Sequence, residues 1–298
     1  LEAGKHVLCE KPLSDTLDDA RAMARTAERA DTVARIGFTF RRAPGIAAIR
    51  ELIQDGTLGK VLHVSGRYWT DYGCNPRAPM SWRYKGGPGS GALADIGSHL
   101  SYVAEFLCGD IRSVSGGRLA TTIPERPLPL GAVTGHHLVE VGEDHEPVEN
   151  DDYAAFSAEF AQGAGSLEVS RVAAGHPNTL TFEVFCEKGA ARFNQLRPAE
   201  IELFLHEGPE ATNGYRTVNL GPGHAYLGAG LAMDAPGVGF GQNDAFGYQA
   251  RAFLEEVAGL DESVSLPRNA SFADGVHNME ILEAAVESAA HDGKKVVL

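Results

Sequence analysis

The sequence predicts an α/β protein in two parts: the remainder of a parallel-sheet domain over residues 1–42, and a larger α+β domain with a mostly antiparallel, open sheet over residues 43–298. Residues 7–9 are a short apolar run that ends in a charged tripeptide, as is typical of a buried parallel strand. From residue 61 onward, short apolar runs recur between glycine-containing turns, as is typical of antiparallel hairpins. This change of pattern separates the first part of the chain from the second.

The first part is predicted to contain one helix between two strands. Thr16 and the acidic residue three positions later have the spacing of a helix N-cap, and an alanine-rich stretch follows as far as Ala30. Residues 33–38 are predicted as the second strand. A short helix over residues 46–55, closed by Gly56, is predicted at the start of the second part.

The second part is predicted to form a sheet of short strands. These strands are expected over residues 61–70, 111–120, 153–160, 166–172, 179–186, 190–194 and 201–206. Hairpin turns are expected at residues 162–165 and 187–189. Helices are expected over residues 242–258 and 272–290, and residues 296–298 are expected to close an edge of the sheet.

The tripeptide that closes the first strand supplies the first candidate site residue. Glu10, Lys11 and Pro12 follow the apolar run, and open α/β sheets bind ligands at the carboxyl ends of their strands. Pro12 restricts Lys11 to an extended backbone or a cis peptide bond, and either one aims the ammonium group in a fixed direction. A plain surface lysine at a strand end is an equal alternative for the tripeptide alone.

A glycine-rich segment over residues 86–91 precedes a helical pattern that carries Asp95 and His99. The two residues are four positions apart, so an α-helix places them on one face. Such a pair could bind a metal, but no third ligand of suitable type is evident nearby, and a surface contact is the commoner role. We expect this helix to pack on one face of the sheet, and the pair gains meaning only beside Lys11.

Three motifs together resemble one enzyme family. They are Glu10-Lys11-Pro12, Trp82-Arg83, and the pattern Gly-Ser-Gly-x-x-x-Asp-x-x-x-His of residues 89–99. This combination resembles the glucose-fructose oxidoreductase, inositol dehydrogenase and rhizopine catabolism (Gfo/Idh/MocA) family of nicotinamide-dependent sugar and polyol dehydrogenases. The resemblance runs through the whole chain. Loop segments at residues 123–128 and 224–228 are most similar to the longer members, whose substrates include the anhydrosugar levoglucosan.

The resemblance implies the fold and activity of the two parts. Residues 1–42 would be the C-terminal remainder of a Rossmann domain that binds NAD or NADP, and residues 43–298 a substrate and oligomerisation domain. The reaction would be reversible hydride transfer between this cofactor and a secondary alcohol of a sugar or cyclic polyol, such as an inositol or levoglucosan. A cytoplasmic homo-oligomer, a dimer or tetramer formed through the open sheet, is also implied.

The residues expected to carry this chemistry are Lys11, Asp95 and His99. An alkoxide develops as hydride leaves, and His99, with an ordinary pKa of about 6.5, is the expected base. Lys11 is expected to stabilise the negative charge on the same oxygen. Asp95 is expected to bond a neighbouring hydroxyl and to hold the imidazolium.

The resemblance also implies residues that contact cofactor and substrate. It places Glu10, Trp82 and Arg83, together with Lys11, at the nicotinamide end of the cofactor. Phe40 stands where some long family members carry Tyr, so the chain offers no phenolic hydroxyl at this position.

Two alternatives to a dehydrogenase exist within the same family. Some members cleave glycosidic bonds through transient oxidation with the same cofactor, and others are non-catalytic sugar sensors. The presence of Lys11, Asp95 and His99 together argues against a sensor, because binding alone would not require a base beside a lysine.

The glycine-rich turn and first helix that hold the pyrophosphate in Rossmann domains do not occur in the printed sequence. We therefore interpret the chain as part of a longer gene product, and expect it not to bind NAD or NADP alone. The residue that selects between the two cofactors follows the second Rossmann strand, so this choice stays open. Residues 87–92 match G-x-G-x-x-A, but no apolar strand precedes them, so they are not interpreted as a phosphate loop.

Composition narrows the class of protein. The 26 basic and 40 acidic residues give a net charge of −14, which argues against nucleic acid or anionic membranes as partners. No apolar run approaches the ~18 residues of a membrane span. Cys9, Cys74, Cys108 and Cys186 stand far apart, as is typical of reduced thiols rather than of a zinc site or a disulfide framework.

Two loops complete the predictions. Between Pro127 and Ser170 the chain has no Lys or Arg, and acidic residues crowd the middle: Glu140, Glu143, Asp144, Glu146, Glu149, Asp151 and Asp152. A solvated acidic loop is expected there, and a calcium site is the weaker alternative because the spacing lacks an EF-hand pattern. We expect no metal. His224 lies in a glycine-rich loop over residues 221–241 that could cover a pocket.

Overall fold

A computed structural model of the protein describes residues 1–135, 137–228 and 235–298. The helices within these ranges are α1 (Leu17–Arg29), α2 (Pro44–Gln54), α3 (Ser98–Cys108), α4 (Gln242–Val257) and α5 (Phe272–Ala290). Single turns of 3₁₀-helix lie at Thr39–Arg42, Trp82–Tyr84 and Glu210–Thr212. A π-helical turn at Leu93–Gly97 leads directly into α3. No helix in the described ranges combines the length and the apolarity that a bilayer crossing needs.

The strands form one large sheet and two small ones. They are β1 (Val7–Cys9), β2 (Ala34–Ile36), β3 (Val61–Trp69), β4 (Ile111–Ala120), β5 (Glu125–Pro129), β6 (Val141–Pro147), β7 (Tyr153–Phe160), β8 (Ala164–Ser170), β9 (Thr179–Cys186), β10 (Gly189–Asn194), β11 (Glu200–Leu205), β12 (Arg216–Asn219) and β13 (Val296–Val297). β1 and β2 pair in parallel, and β5 and β6 pair in antiparallel fashion.

The large sheet has the strand order β12–β11–β10–β9–β3–β8–β7–β4–β13. Its pairings are antiparallel except for β3 with β8, which run in parallel. This confirms the predicted class, an α/β protein with a mostly antiparallel sheet. Strands β4, β7 and β9 begin and end at the predicted residues, and in β7 and β9 buried side chains alternate regularly with less buried ones.

The prediction of a solvated acidic loop is wrong in one respect, because part of the segment is a strand. Val141–Pro147 forms strand β6, which pairs with β5 through its backbone. Both strands, and the edge strand β12, are absent from the predicted set. Most side chains of β6 are exposed on both faces, so the sequence carries no period-two apolar signal there.

Helix α3 is the element around which the core forms. It packs against β3 and β8 of the large sheet, and against α2 and α5 on its other sides. Leu100, Val103 and Ala104 of α3 are fully buried, as is Val184 on the inner face of the sheet. The expected packing of this helix on the sheet is confirmed, and it fixes the position of the residues at the start of α3.

An ion pair joins α3 to α5. His277 Nε2 lies 2.8 Å from Glu105 Oε1, and the same carboxylate oxygen accepts a 3.0 Å hydrogen bond from the backbone N–H of Ile111. The hydrogen bond to Glu105 raises the pKa of His277 above its ordinary value. A group whose pKa rises on folding stabilises the fold at pH values below its unfolded pKa, and this contribution is lost as the pH rises through the folded pKa.

We expect His277→Gln to lower the free energy of unfolding by about 0.5–1 kcal/mol near pH 5.5, and by much less near pH 9, since solvent screens a half-buried pair. Urea unfolding at both pH values measures this difference. His206→Gln, which replaces an exposed histidine directly after strand β11, serves as the control. An equal loss of stability for His277→Gln at both pH values would contradict a charged pair.

Candidate active site

Lys11 lies at the carboxyl end of the small parallel sheet. The register of β1 and β2 pairs Cys9 with Ile36, so the residues that follow the two strands share one edge. The backbone N–H of Gly37 donates to the carbonyl of Cys9 at 2.7 Å. A Cβ at position 37 would lie 3.1 Å from Gln249 Nε2, 3.3 Å from that carbonyl and 3.4 Å from Glu10 Oε1, so glycine allows these groups to pack closely at the edge. The Lys11–Pro12 peptide bond is cis.

The ammonium group of Lys11 meets Asp95, which lies 84 positions further along the chain. Lys11 Nζ donates to the backbone carbonyl of Asp95 and lies 3.5 Å from its Oδ1. Tyr72 donates its hydroxyl to the other carboxylate oxygen, Oδ2, at 2.8 Å. Burial lowers the pKa of Lys11, and the negative charge of Asp95 opposes this shift. The Lys11 ammonium group therefore loses its proton more readily than that of an ordinary lysine.

Asp95 and His99 do not lie in one continuous α-helix as predicted. Asp95 belongs to the π-helical turn, and His99 is the second residue of α3. A π-turn closes over one more residue than an α-turn, so side chains four positions apart no longer stack as they do in an α-helix. The Asp95 side chain contacts Lys11 and Tyr72, and the His99 side chain contacts Tyr102.

His99 is held by aromatic neighbours. Its Nδ1 lies 2.7 Å from the hydroxyl of Tyr102, which also accepts a 3.0 Å hydrogen bond from the backbone N–H of Phe40. The rings of Phe40 and Tyr68 pack against the imidazole, with centroid distances of 4.9 and 5.9 Å. Burial, followed by the positive charge of Lys11, lowers the pKa of His99 well below its ordinary value. His99 is therefore neutral at physiological pH.

The glycine-rich segment ahead of Asp95 is bound by an acidic side chain. Asp151 Oδ1 accepts hydrogen bonds from the N–H groups of Gly89 and Gly91 at 2.8 and 3.1 Å, and its Oδ2 accepts one from Leu93 at 2.8 Å. The amides that a phosphate would need are thus already paired with a carboxylate. This supports the interpretation that residues 87–92 are not a phosphate loop.

Asp151 and its neighbour Asp152 are 2 % and 0 % exposed. The prediction of a solvated acidic loop is therefore wrong for both, because their carboxylates hold the backbone of other segments. Asp152 accepts from Arg171 Nε at 2.8 Å, and from the N–H groups of Thr122 and Ile123 at 2.7 and 2.9 Å. Burial alone would raise the pKa of Asp152, but these hydrogen bonds and the charge of Arg171 hold it below its ordinary value.

Arg171 connects this buried pair to the 3₁₀ turn of Trp82 and Arg83. Its Nη1 donates to the carbonyl of Arg83 at 2.9 Å, and its Nη2 donates to Asn150 Oδ1 at 2.8 Å. Its guanidinium also lies 4.6 Å from the ring centroid of Tyr84, the last residue of the turn. The position of the turn beside the site thus depends on a charge pair buried beneath it.

Trp82 and Arg83 stack on each other in the 3₁₀ turn. The Trp82 side chain is 75 % exposed, and the Arg83 guanidinium lies 4.4 Å from its ring centroid. Arg83 Nε is buried, with no hydrogen-bond partner among the described residues. The positive charge of Arg83 also contributes to the lowered pKa of Lys11. A buried, unpaired donor of Arg83 near Lys11, with an exposed indole stacked on the same arginine, fits the nicotinamide end of a dinucleotide.

The structure also describes the groups that were considered for metal binding, disulfides and a loop cover. No group of three His, Cys, Asp or Glu side chains in the described ranges could hold a metal ion. The four cysteines are free, and burial raises the pKa of Cys108 to about 12. The His224 ring bonds locally to the backbone of Gly221. The glycine-rich loop over residues 221–241 was considered as a cover for a pocket. Residues 229–234 of this loop lie outside the described residues.

Sequence reasoning missed several residues of the site. Tyr102 lies three positions after His99 on one helix, and this spacing is a signal that could have found it. Tyr72, Asn150 and Arg171 carry no local signal, because they reach the site only through tertiary contacts.

Comparison with known proteins shows the family. Residues 1–38 match the GFO/IDH/MocA family model that is described as "Oxidoreductase family, NAD-binding Rossmann fold". Residues 46–192 match the model of the GFO/IDH/MocA C-terminal domain. The chain is 38 % identical over 295 residues to levoglucosan dehydrogenase of Pseudarthrobacter phenanthrenivorans. The aligned region covers 98 % of this chain and 73 % of that protein. The protein belongs to the GFO/IDH/MocA family of oxidoreductases. The predicted family, Rossmann fold and nicotinamide cofactor are thereby confirmed.

Two further similarities agree with this family. The solved structure of levoglucosan dehydrogenase in complex with NADH and levoglucosan matches with a TM-score of 0.85 and 34 % identity, over 100 % of this chain and 75 % of that chain. D-xylose dehydrogenase of Paenarthrobacter nicotinovorans is 35 % identical over 127 residues, which is 42 % of this chain and 32 % of that protein.

Proposed function

We propose that the protein is an NAD-dependent dehydrogenase that oxidises a secondary alcohol of a sugar or cyclic polyol, with an anhydrosugar of the levoglucosan type as the first candidate. The observation that carries this proposal is the contact of Lys11 with Asp95, with His99 near enough for the charge of Lys11 to act on its imidazole. The names of the relatives support the substrate class, since both act on sugars. NADH in a solved relative favours NAD over NADP.

The residues at the edge of the parallel sheet would hold the nicotinamide end of the cofactor. Gly37 lets Glu10 pack closely at this edge, Glu10 and Arg83 lie near enough to Lys11 for their charges to act on its ammonium group, and Trp82 stacks on Arg83. When bound, the nicotinamide supplies the hydride acceptor. The rest of the chemistry, which is orientation of the alcohol and removal of its proton, falls to side chains of this chain.

Lys11 and His99 would both contact the reacting oxygen. Lys11 stabilises negative charge on that oxygen as it develops. His99 is neutral and presents Nε2, which has no hydrogen-bond partner among the described residues. Asp95, held by Tyr72, orients the ammonium group of Lys11 and can accept a hydrogen bond from a neighbouring hydroxyl. One of the two nitrogens, Lys11 Nζ or His99 Nε2, receives the hydroxyl proton.

The proposal is tested with the full-length gene product. A panel of levoglucosan, aldoses and inositols is incubated with NAD or NADP, and reduced cofactor and sugar products are both measured. We expect one oxidised sugar or polyol per reduced cofactor. Cleaved glycosides without net reduced cofactor would instead show a glycosidase, and saturable sugar binding without turnover would show a sensor.

A further inference from the structure

Tyr102 is fixed in one position beneath His99. Its side chain is fully buried, and the ring of Phe38 stacks on it at a centroid distance of 4.2 Å with an interplanar angle of 11°. The guanidinium of Arg41 lies against both rings. The Tyr102 hydroxyl lies between two partners, the backbone N–H of Phe40 at 3.0 Å and His99 Nδ1 at 2.7 Å.

The count of hydrogens in this arrangement decides the direction of the second bond. A phenol has one hydrogen to donate, and the Phe40 N–H can only donate, so it occupies a lone pair of the Tyr102 oxygen. If His99 Nδ1 also carried a hydrogen, the phenolic hydrogen would be buried without an acceptor. An unpaired buried donor is disfavoured by a factor of roughly 5–150 in population. Tyr102 therefore donates, and Nδ1 accepts.

We propose that Tyr102 is a positioning residue that holds His99 in the neutral tautomer with its proton on Nε2. His99 then offers the site a hydrogen-bond donor and not a base. The tautomer follows from geometry alone, whereas its catalytic consequence rests on the proposed function.

The consequence concerns the route of the proton. During oxidation of the alcohol, the O–H proton moves to the lone pair of a neutral Lys11 amine, which becomes an ammonium group. The hydride leaves the carbinol carbon for the nicotinamide acceptor, and His99 keeps its Nε2 proton and bonds the same oxygen throughout. The lowered pKa of Lys11 suits this exchange, and Asp95 stabilises the ammonium group that forms.

The tautomer can be measured directly by long-range ¹⁵N–¹H NMR of the protein labelled with ¹⁵N-histidine. The His99 signals are identified by their loss in His99→Gln. In the unmodified protein we expect a protonated Nε2 and an unprotonated Nδ1 for His99 at neutral pH. In Tyr102→Phe, which keeps the stacked ring but removes the hydroxyl, we expect the fraction of His99 with a proton on Nδ1 to rise at least about fivefold.

Tyr68→Phe is the matched control. Its ring lies near His99 but its hydroxyl bonds Asn178 at 2.6 Å, so its removal is expected to leave the His99 tautomer unchanged. A proton on Nδ1 in the unmodified protein overturns the proposal, even if Tyr102→Phe does not fold. An unchanged tautomer in a folded Tyr102→Phe overturns it as well. The measurement needs neither substrate nor turnover, so a negative sugar panel would refute the proposed function without affecting this result.

Discussion

Lys11→Ala is expected to lower the turnover of sugar oxidation near neutral pH by about 10²- to 10⁴-fold or more. This range is the usual contribution of a positioned acid–base group to the rate. The ammonium group also stabilises negative charge at the reacting oxygen, so its removal costs charge stabilisation in addition to proton transfer. His99→Ala is expected to cost about 10²- to 10⁴-fold in turnover and to weaken cofactor binding little. Steady-state kinetics and calorimetric titration of NADH measure the two quantities.

Lys5→Ala is the matched control for this experiment. Lys5 lies six positions before Lys11, at the surface and outside the site, so its replacement is expected to leave turnover unchanged. Near-normal turnover of Lys11→Ala or His99→Ala, in protein that still binds NADH, would refute their assignment to the reacting oxygen.

Arg171→Met is expected to lower the free energy of unfolding by about 3–5 kcal/mol, because it leaves the charge of Asp152 buried without its partner. The two side chains are 1 % and 0 % exposed, so solvent screens them little. The carbonyl of Arg83 and the side chain of Asn150 lose hydrogen bonds in the same variant. Denaturant unfolding, followed by fluorescence and circular dichroism, measures the loss.

Two further variants separate the charge from the change in side-chain shape. Arg112→Met removes an exposed arginine from strand β4 and is expected to change stability by less than about 0.5 kcal/mol. Asp152→Asn combined with Arg171→Met removes the uncompensated charge, and is expected to recover part of the loss. If the double variant is less stable than Arg171→Met alone, the buried charge is not the cause.

The strands and helices were largely predictable because their signals are local. Tyr153–Phe160 and Thr179–Cys186 alternate apolar and polar residues, and Phe272–Ala290 follows a capping residue, Ser271, that accepts a hydrogen bond from Asp274. The strand Val141–Pro147 escaped prediction since backbone pairing holds it while its side chains stay in solvent.

Sequence spacing was a weaker guide to the acidic residues. Seven carboxylates in one segment indicated solvent, yet Asp151 and Asp152 are buried. Their surroundings supply what solvent otherwise would: backbone N–H groups of residues 89–93 for one, and Arg171 with two further amides for the other. Such partners come from distant parts of the chain, and composition cannot indicate them.

The sequence by itself determined the candidate site residues, since Lys11 follows a short apolar strand and Asp95 and His99 follow a glycine-rich turn. It also determined the family, through motifs that occur together. The tertiary structure alone decided how these residues are arranged: the π-turn that separates Asp95 from His99, the bond of Lys11 to Asp95, and the bond of Tyr102 to His99. The physical reason is that residue type fixes which bonds a side chain can form, whereas burial and long-range packing decide which partner it meets and which of its protonation states is stable.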